Sequence, residues 1–280
     1  MLGKLIKHEW RAMKKPLIIF FVVLAVTTAL SCITLLFINP AFNDVVIGFS
    51  AILFICVILL YYMGLIVCSI GTNIMIAVRF YKSCYTDEGY LTHTLPVSSK
   101  QLLLGKTITY CIVNIAMGAL MILSVFVIVG VGIAHFGSLD ASIFSDFPSF
   151  AEIDAGFRAE AGIGLIPLLL FVIVFCIGAY IANIIIITGC ISLGQLMAKH
   201  RVMGALLAYF GFYMIVQVVS IIAAIPMYGN IFKAELAGTT MTMWSLMGPT
   251  YIIVGVIYVV IAVIMYFVNL HMMTKRLNLE

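Results

Sequence analysis

Charge is what this chain has least of. Of 280 residues only 26 are charged, 15 Lys+Arg and 11 Asp+Glu, or 9%. A soluble domain carries about 25%. A chain this poor in charge cannot cover its surface with polar groups, so an ordinary soluble protein is excluded. Strict apolar–polar alternation over about ten residues is missing too, which excludes a membrane β-barrel. HExxH and GxSxG are both absent, and no cysteine–histidine spacing has the form of a zinc site.

What is present is a set of long uncharged runs: 16–43, 45–78, 107–139, 161–198, 202–232 and 236–274. Each exceeds the roughly 20 apolar residues that a bilayer-spanning helix needs. The expectation is an all-α membrane protein, one transmembrane domain over 1–280, with six transmembrane helices near 17–37, 46–77, 108–134, 163–192, 202–225 and 249–272. The remaining charges give a direction. Lys4, Lys7, Arg11, Lys14, Lys15, Arg79, Lys82, Lys100, Lys106, Lys199, Arg201, Lys275 and Arg276 fall on one side of this topology. Only Arg158 and Lys233 fall on the other. The positive-inside rule then places both termini in the cytoplasm. No small-residue cleavage site closes the first run at Phe37, so the first span is expected to remain in the mature protein. The seven cysteines (Cys32, Cys56, Cys68, Cys84, Cys111, Cys176 and Cys190) avoid the outer loops, and they read as small apolar packers rather than a disulfide framework.

Residues 1–15 set Leu2, Leu5, Ile6 and Met13 on one stripe and Lys4, Lys7, Arg11 and Lys15 on another. With Trp10 suited to headgroup level, this predicts an interfacial helix lying on the lipid bilayer before the chain turns inward at Pro16. Its candidate surface residues are Lys4, Lys7, Trp10 and Arg11. On the outer side, Phe144, Phe147, Phe150, Ile153 and Phe157 recur every three or four residues and predict a short amphipathic helix. The segment 226–248, opened by Pro226 and punctuated by Gly229, Gly238 and Gly248, reads as broken and re-entrant.

The spans hold no Asp, Glu, Lys or Arg, only neutral polar groups such as Asn73, Asn114, Asn183, Gln195, Gln217 and Asn269. Carriers driven by protons or sodium place ionisable groups at the membrane midplane. Uphill movement by this chain would therefore need energy from another chain. Gly105-Lys106-Thr107 matches the end of a phosphate-binding loop, but Lys100 stands where its first glycine belongs and no strand precedes it. No cofactor is expected on this chain, and no nucleic-acid partner.

The connector 79–107, RFYKSCYTDEGYLTHTLPVSSKQLLLGKT, is the one long cytoplasmic link. Thr86-Asp87-Glu88 can cap a short helix, Pro96 ends it, and Ser98 with Gln101 can form a capping box opening the next helix. A short helix held between two spans and displaying Tyr90, Leu91 and Leu95 suits docking into a partner's groove.

Glu88-Gly89-Tyr90-Leu91, then Leu95-Pro96-Val97-Ser98, then Leu102-Leu103-Leu104-Gly105-Lys106 resembles the connector of type-2 ABC exporter permeases, in particular the short permeases of Gram-positive bacteria. Six spans, cytoplasmic termini and a leading amphipathic helix match the same family. The resemblance implies a separate ABC ATPase subunit carrying ATP and Mg, and a homodimer or a heterodimer with a related permease in the bacterial cell membrane. It also implies partner-ATPase coupling through Asp87, Glu88, Gly89, Tyr90, Leu91 and Leu95. Thr92-His93-Thr94 departs from the family pattern, in which an acid often follows the glycine stretch. By analogy the cargo is an antimicrobial peptide or another amphipathic molecule. Two alternatives are an energy-independent channel or facilitator, and an intramembrane enzyme in which His135 would be the only suggestion of a catalytic group.

Overall fold

The computed structural model describes residues 2–37, 44–86, 88–90, 97–139, 149–197, 200–237 and 242–275. Seven helices run through them: α1 (Leu2–Leu36), α2 (Asp44–Tyr85), α3 (Ser99–Leu139), α4 (Phe150–Glu160), α5 (Leu165–Gly194), α6 (Arg201–Ala237) and α7 (Met243–Lys275). No strand occurs among the described residues. All of these helices except α4 are long and apolar enough to cross a membrane, with mean hydropathy from 2.1 to 2.8 over the spans. Their outer faces stay apolar and exposed, as at Phe126 (68%) and Val174 (69%). Apolar surface on this scale is tolerated only against lipid or another protein. Six such helices mark a multi-pass membrane protein.

The helices are longer than the uncharged runs suggested. α2 continues to Tyr85 and α3 begins at Ser99, eight or nine residues beyond the expected limits of 77 and 108. At 1.5 Å per residue, the 42 residues of α2 reach about 63 Å, twice the roughly 30 Å of hydrocarbon.

Two predicted breaks are corrected. The interfacial helix was expected to end at residue 15, yet α1 passes through Pro16 as one helix of 35 residues. The inward stripe explains this: Glu9, Met13, Leu24, Ser31 and Leu35 are buried at helical spacing on both sides of Pro16, so one register serves the whole length. Lys4, Lys7, Trp10 and Arg11 all lie on the exposed side. Likewise α6 passes through Pro226 to Ala237, and α7 holds Pro249 inside, so the chain is helical through both prolines, while 238–241 lie outside the described residues. A proline removes one backbone donor. Unwinding the helix there would expose several more donors where water is scarce, which costs more.

The chain divides into two compact units, with the divisions falling inside α2 and α3. One unit is Met1–Arg79 with Ile108–Phe147, and the other is Phe80–Thr107 with Pro148–Glu280. The first unit is built on Leu24, Leu35, Tyr61, Cys68, Met117 and Ile128. Tyr61 and Ser124 share a 2.6 Å hydrogen bond there, and Asn114 Nδ2 donates to Asn73 Oδ1 at 3.4 Å. The neutral polar residues read from the sequence thus include pairs that join helices. In the second unit α5 packs on both α6 and α7, and α6 on α7, around Ala182, Ile186, Cys190, Ala262 and Met265. Gly194 lets α6 approach closely, since a Cβ there would sit 2.5 Å from the Ala205 backbone nitrogen. Every described cysteine is a free thiol.

Of the amphipathic helix expected on the outer side, α4 begins at Phe150, so Phe144 and Phe147 lie outside the described residues. Ser149 caps it, with Glu152 returning a bond to the Ser149 amide in a full capping box.

Candidate functional site

The site grows from the two helix ends that flank the connector. The sequence reading ended the second span near 77 and opened the helix of the third span at Ser98. In the structure, the last turns of α2 (80–85) and the first turns of α3 (99–107) are helical and belong to the same unit as α5–α7. Their inward side chains are among the most buried in the molecule: Phe80, Cys84, Tyr85 and Leu103 are at 0–1% exposure. Phe80 and Tyr85 meet edge to face, with centroids 6.2 Å apart.

Polar groups run through this apolar packing. Tyr85 donates its hydroxyl to Ser192 Oγ on α5 at 2.8 Å. Ser192 in turn donates to Asn269 Oδ1 on α7 at 2.7 Å, with the Thr188 carbonyl within reach at 3.1 Å. One chain of side-chain bonds therefore ties the end of α2 to α5 and then α7, and all three residues are buried. Gln195, also buried, caps the end of α5, and its Nε2 donates to the Ile191 carbonyl at 3.4 Å.

A second bond joins the connector's two flanks to each other. Lys106 on α3 donates from Nζ to Ser83 Oγ on α2 at 2.7 Å, and both side chains are buried. Sequence reasoning missed this residue. It treated Lys106 as a positive charge at a span boundary and as a failed phosphate-loop lysine. The available signal was that Leu102, Leu103, Lys106, Tyr110 and Val113 share one helical face, which the four apolar members mark as buried. An ammonium on such a face is expensive unless hydrogen-bonded, and inside a membrane protein such groups are most often functional.

In the other unit, Arg79 donates from Nε to Glu9 Oε2 at 3.1 Å, with the Glu9 side chain 5% exposed and the Arg79 side chain 18%. This ion pair fastens α1 to α2 one residue before the division between the units. It too was not foreseen, because Glu9 and Arg79 are 70 residues apart in sequence.

Of the expected coupling residues, Asp87, Leu91 and Leu95 lie outside the described residues. Residues 88–90 form a helical turn, in which Glu88 is exposed, Gly89 is buried and the Tyr90 ring is 49% exposed. Thr86, expected to cap forward, instead donates its hydroxyl back to the Lys82 carbonyl at 2.7 Å, and its own carbonyl accepts from the Gly89 amide. On the far side Ser98 Oγ accepts from the Gln101 amide at 3.4 Å as α3 begins. Among the described residues no group of His, Cys, Asp and Glu is placed to hold a metal.

Compared with known proteins, the chain matches no family model, no curated protein and no solved structure.

Proposed function

We propose that this chain is the membrane-spanning permease subunit of an ATP-driven ABC exporter, energised by a separate nucleotide-binding subunit and moving an amphipathic cargo. The observation that carries this reading is the connector itself. A single long link of the form Glu88-Gly89-Tyr90-Leu91…Leu95-Pro96-Val97-Ser98 stands between two of six apolar spans whose middles hold long runs without Asp, Glu, Lys or Arg. The geometry around it supports the reading. Glu88 and Tyr90 are exposed for a partner, while the flanks are tied to α5 and α7 through Tyr85, Ser192 and Asn269. A push on the connector therefore has a short hydrogen-bonded route into two spans. The bias of basic residues toward the connector's side supports a cytoplasmic location for that side and both termini, where ATP is available. Two permease chains, identical or related, enclose the translocation path.

The test is purification of the tagged full chain from its native membrane in mild detergent. A soluble ATPase with a phosphate-binding loop is expected to co-purify, and the reconstituted complex is expected to move amphipathic cargo only with ATP. Cargo flux through liposomes holding this chain alone would overturn the reading.

A further inference from the structure

At the end of the bundle remote from the connector lies a cavity of about 320 Å³, walled by Ile163, Phe171, Phe175, Trp244, Met247 and Tyr251. The rings are mutually braced. Trp244 meets Phe171 edge-on at 5.0 Å, Phe171 stacks on Phe175 at 5.8 Å, and Phe175 meets Tyr251 edge-on at 6.2 Å. The backbone around the cavity is fixed as well. The Trp244 amide donates to the Ala161 carbonyl at 2.9 Å, which staples the 161–164 turn to the start of α7. Gly162 occupies φ +76, where a Cβ would collide with Thr242. A preformed, mostly apolar cavity of this size is the usual form of a small-molecule site.

The chemistry of its walls and of the helix that precedes them selects the ligand. Among the described residues no charged side chain lines the cavity, so a strongly hydrated ion finds no described group there to replace its water. Aromatic faces carry negative potential and attract weakly hydrated cations. The helix leading into the cavity wall, α4, carries Glu152, Asp154 and Glu160 against one Arg158, and Arg158 is held by Asp154 at 2.8 Å. Two helix N-termini point to this end and would favour an anion, but both are already engaged. Asp154 Oδ1 accepts from the Leu165 amide at 2.7 Å, and the Ala161 carbonyl takes the Trp244 amide. We propose that this aromatic cavity is a binding site for a lipophilic organic cation, with its apolar body among Phe171, Phe175, Trp244 and Tyr251 and its charge balanced by the carboxylates of α4. The site belongs to this chain alone and needs no ATPase.

The test uses the full chain in phosphatidylcholine nanodiscs. Trp10 and Trp244 are the only tryptophans, so Trp10→Phe leaves Trp244 as the sole reporter. Its emission is titrated with tetraphenylphosphonium and, separately, with tetraphenylborate, an anion of nearly the same shape; empty nanodiscs supply the partition baseline. The expected result is saturable quenching by the cation at least tenfold tighter than by the anion. The Glu152→Gln/Glu160→Gln variant keeps the capping box and removes two charges, and should weaken the cation about three- to tenfold. Phe171→Leu should weaken it further. Should Phe171→Leu fail to fold, Phe175→Leu takes its place. Non-saturating quenching, equal affinity for the two ions, or a cation affinity indifferent to both variants would each overturn the proposal.

Discussion

Lys106 Nζ lies 2.7 Å from Ser83 Oγ, and both side chains are at 2% exposure or less. The bond joins the two helices that enter and leave the connector, so it holds the connector's ends at a fixed separation. A buried ammonium is costly to desolvate, and its removal is felt differently from removal of its acceptor.

That asymmetry yields an ordering. Ser83→Ala leaves the ammonium buried without this acceptor and should cost about 1–3 kcal/mol. Lys106→Met keeps the length of the side chain and removes the charge. The Ser83 hydroxyl then still has the Phe80 carbonyl within reach at 3.3 Å. Replacing a buried ion by an apolar group of similar volume is often neutral or stabilising, so Lys106→Met should melt at or above the Ser83→Ala temperature in thermal unfolding in detergent. The reverse order would mean that the charge itself stabilises the fold.

Ser192 sits in the middle of the Tyr85–Ser192–Asn269 chain, so its loss breaks two links where Tyr85→Phe breaks one. Interhelical hydrogen bonds in membrane proteins average about 0.6 kcal/mol. Ser192→Ala should therefore cost about 1–2 kcal/mol and Tyr85→Phe about half of that. A double-mutant cycle measured by unfolding checks this, and a coupling energy near zero would remove the chain as an energetic unit. Under the proposed function, the ratio of cargo moved to ATP hydrolysed should fall in Ser192→Ala more than hydrolysis itself.

Glu9 and Arg79 form an ion pair with one nearly buried partner. Losing Glu9 alone leaves a guanidinium only 18% exposed at its side chain without its counter-charge. Fully buried pairs lose about 3–5 kcal/mol when one partner is removed and exposed ones under about 1. Glu9→Gln should thus lie between, near 2 kcal/mol, and Glu9→Gln/Arg79→Gln should recover much of the loss. Unfolding midpoints of the two variants decide it, with an equally unstable double variant as the contrary outcome.

Tyr90 is half exposed on the connector turn and contributes little to packing. Tyr90→Asp should leave the unfolding midpoint of the isolated chain within about 2 °C of wild type, since exposed substitutions usually stay within about 0.5 kcal/mol. Under the proposed function its effect falls on the surface that meets the ATPase. Co-purification of the ATPase should fall severalfold, and Leu91→Asp should add to it. An unchanged yield of partner from both variants would take the connector out of the docking surface.

The amino-acid sequence by itself marked six segments long and apolar enough to cross a membrane, because a polypeptide with 9% charge and six long uncharged runs satisfies its backbone in lipid as helices. It also marked 79–107 as the one long link on the basic side, and Asn73, Asn114 and Asn269 as groups that would seek partners across helices. It misjudged where helices stop. Pro16 and Pro226 look like breaks when propensity is read locally, whereas in the fold the cost of exposing further backbone groups outweighs one lost donor. Only the tertiary structure decided which residues meet. Glu9 finds Arg79, Lys106 finds Ser83, and Tyr85 finds Ser192 across 107 residues. No spacing rule contains such pairs, because they depend on how long helices are rotated and shifted against one another. That choice is made by many small apolar contacts at once, and the buried polar groups then pair with what the packing brings within reach.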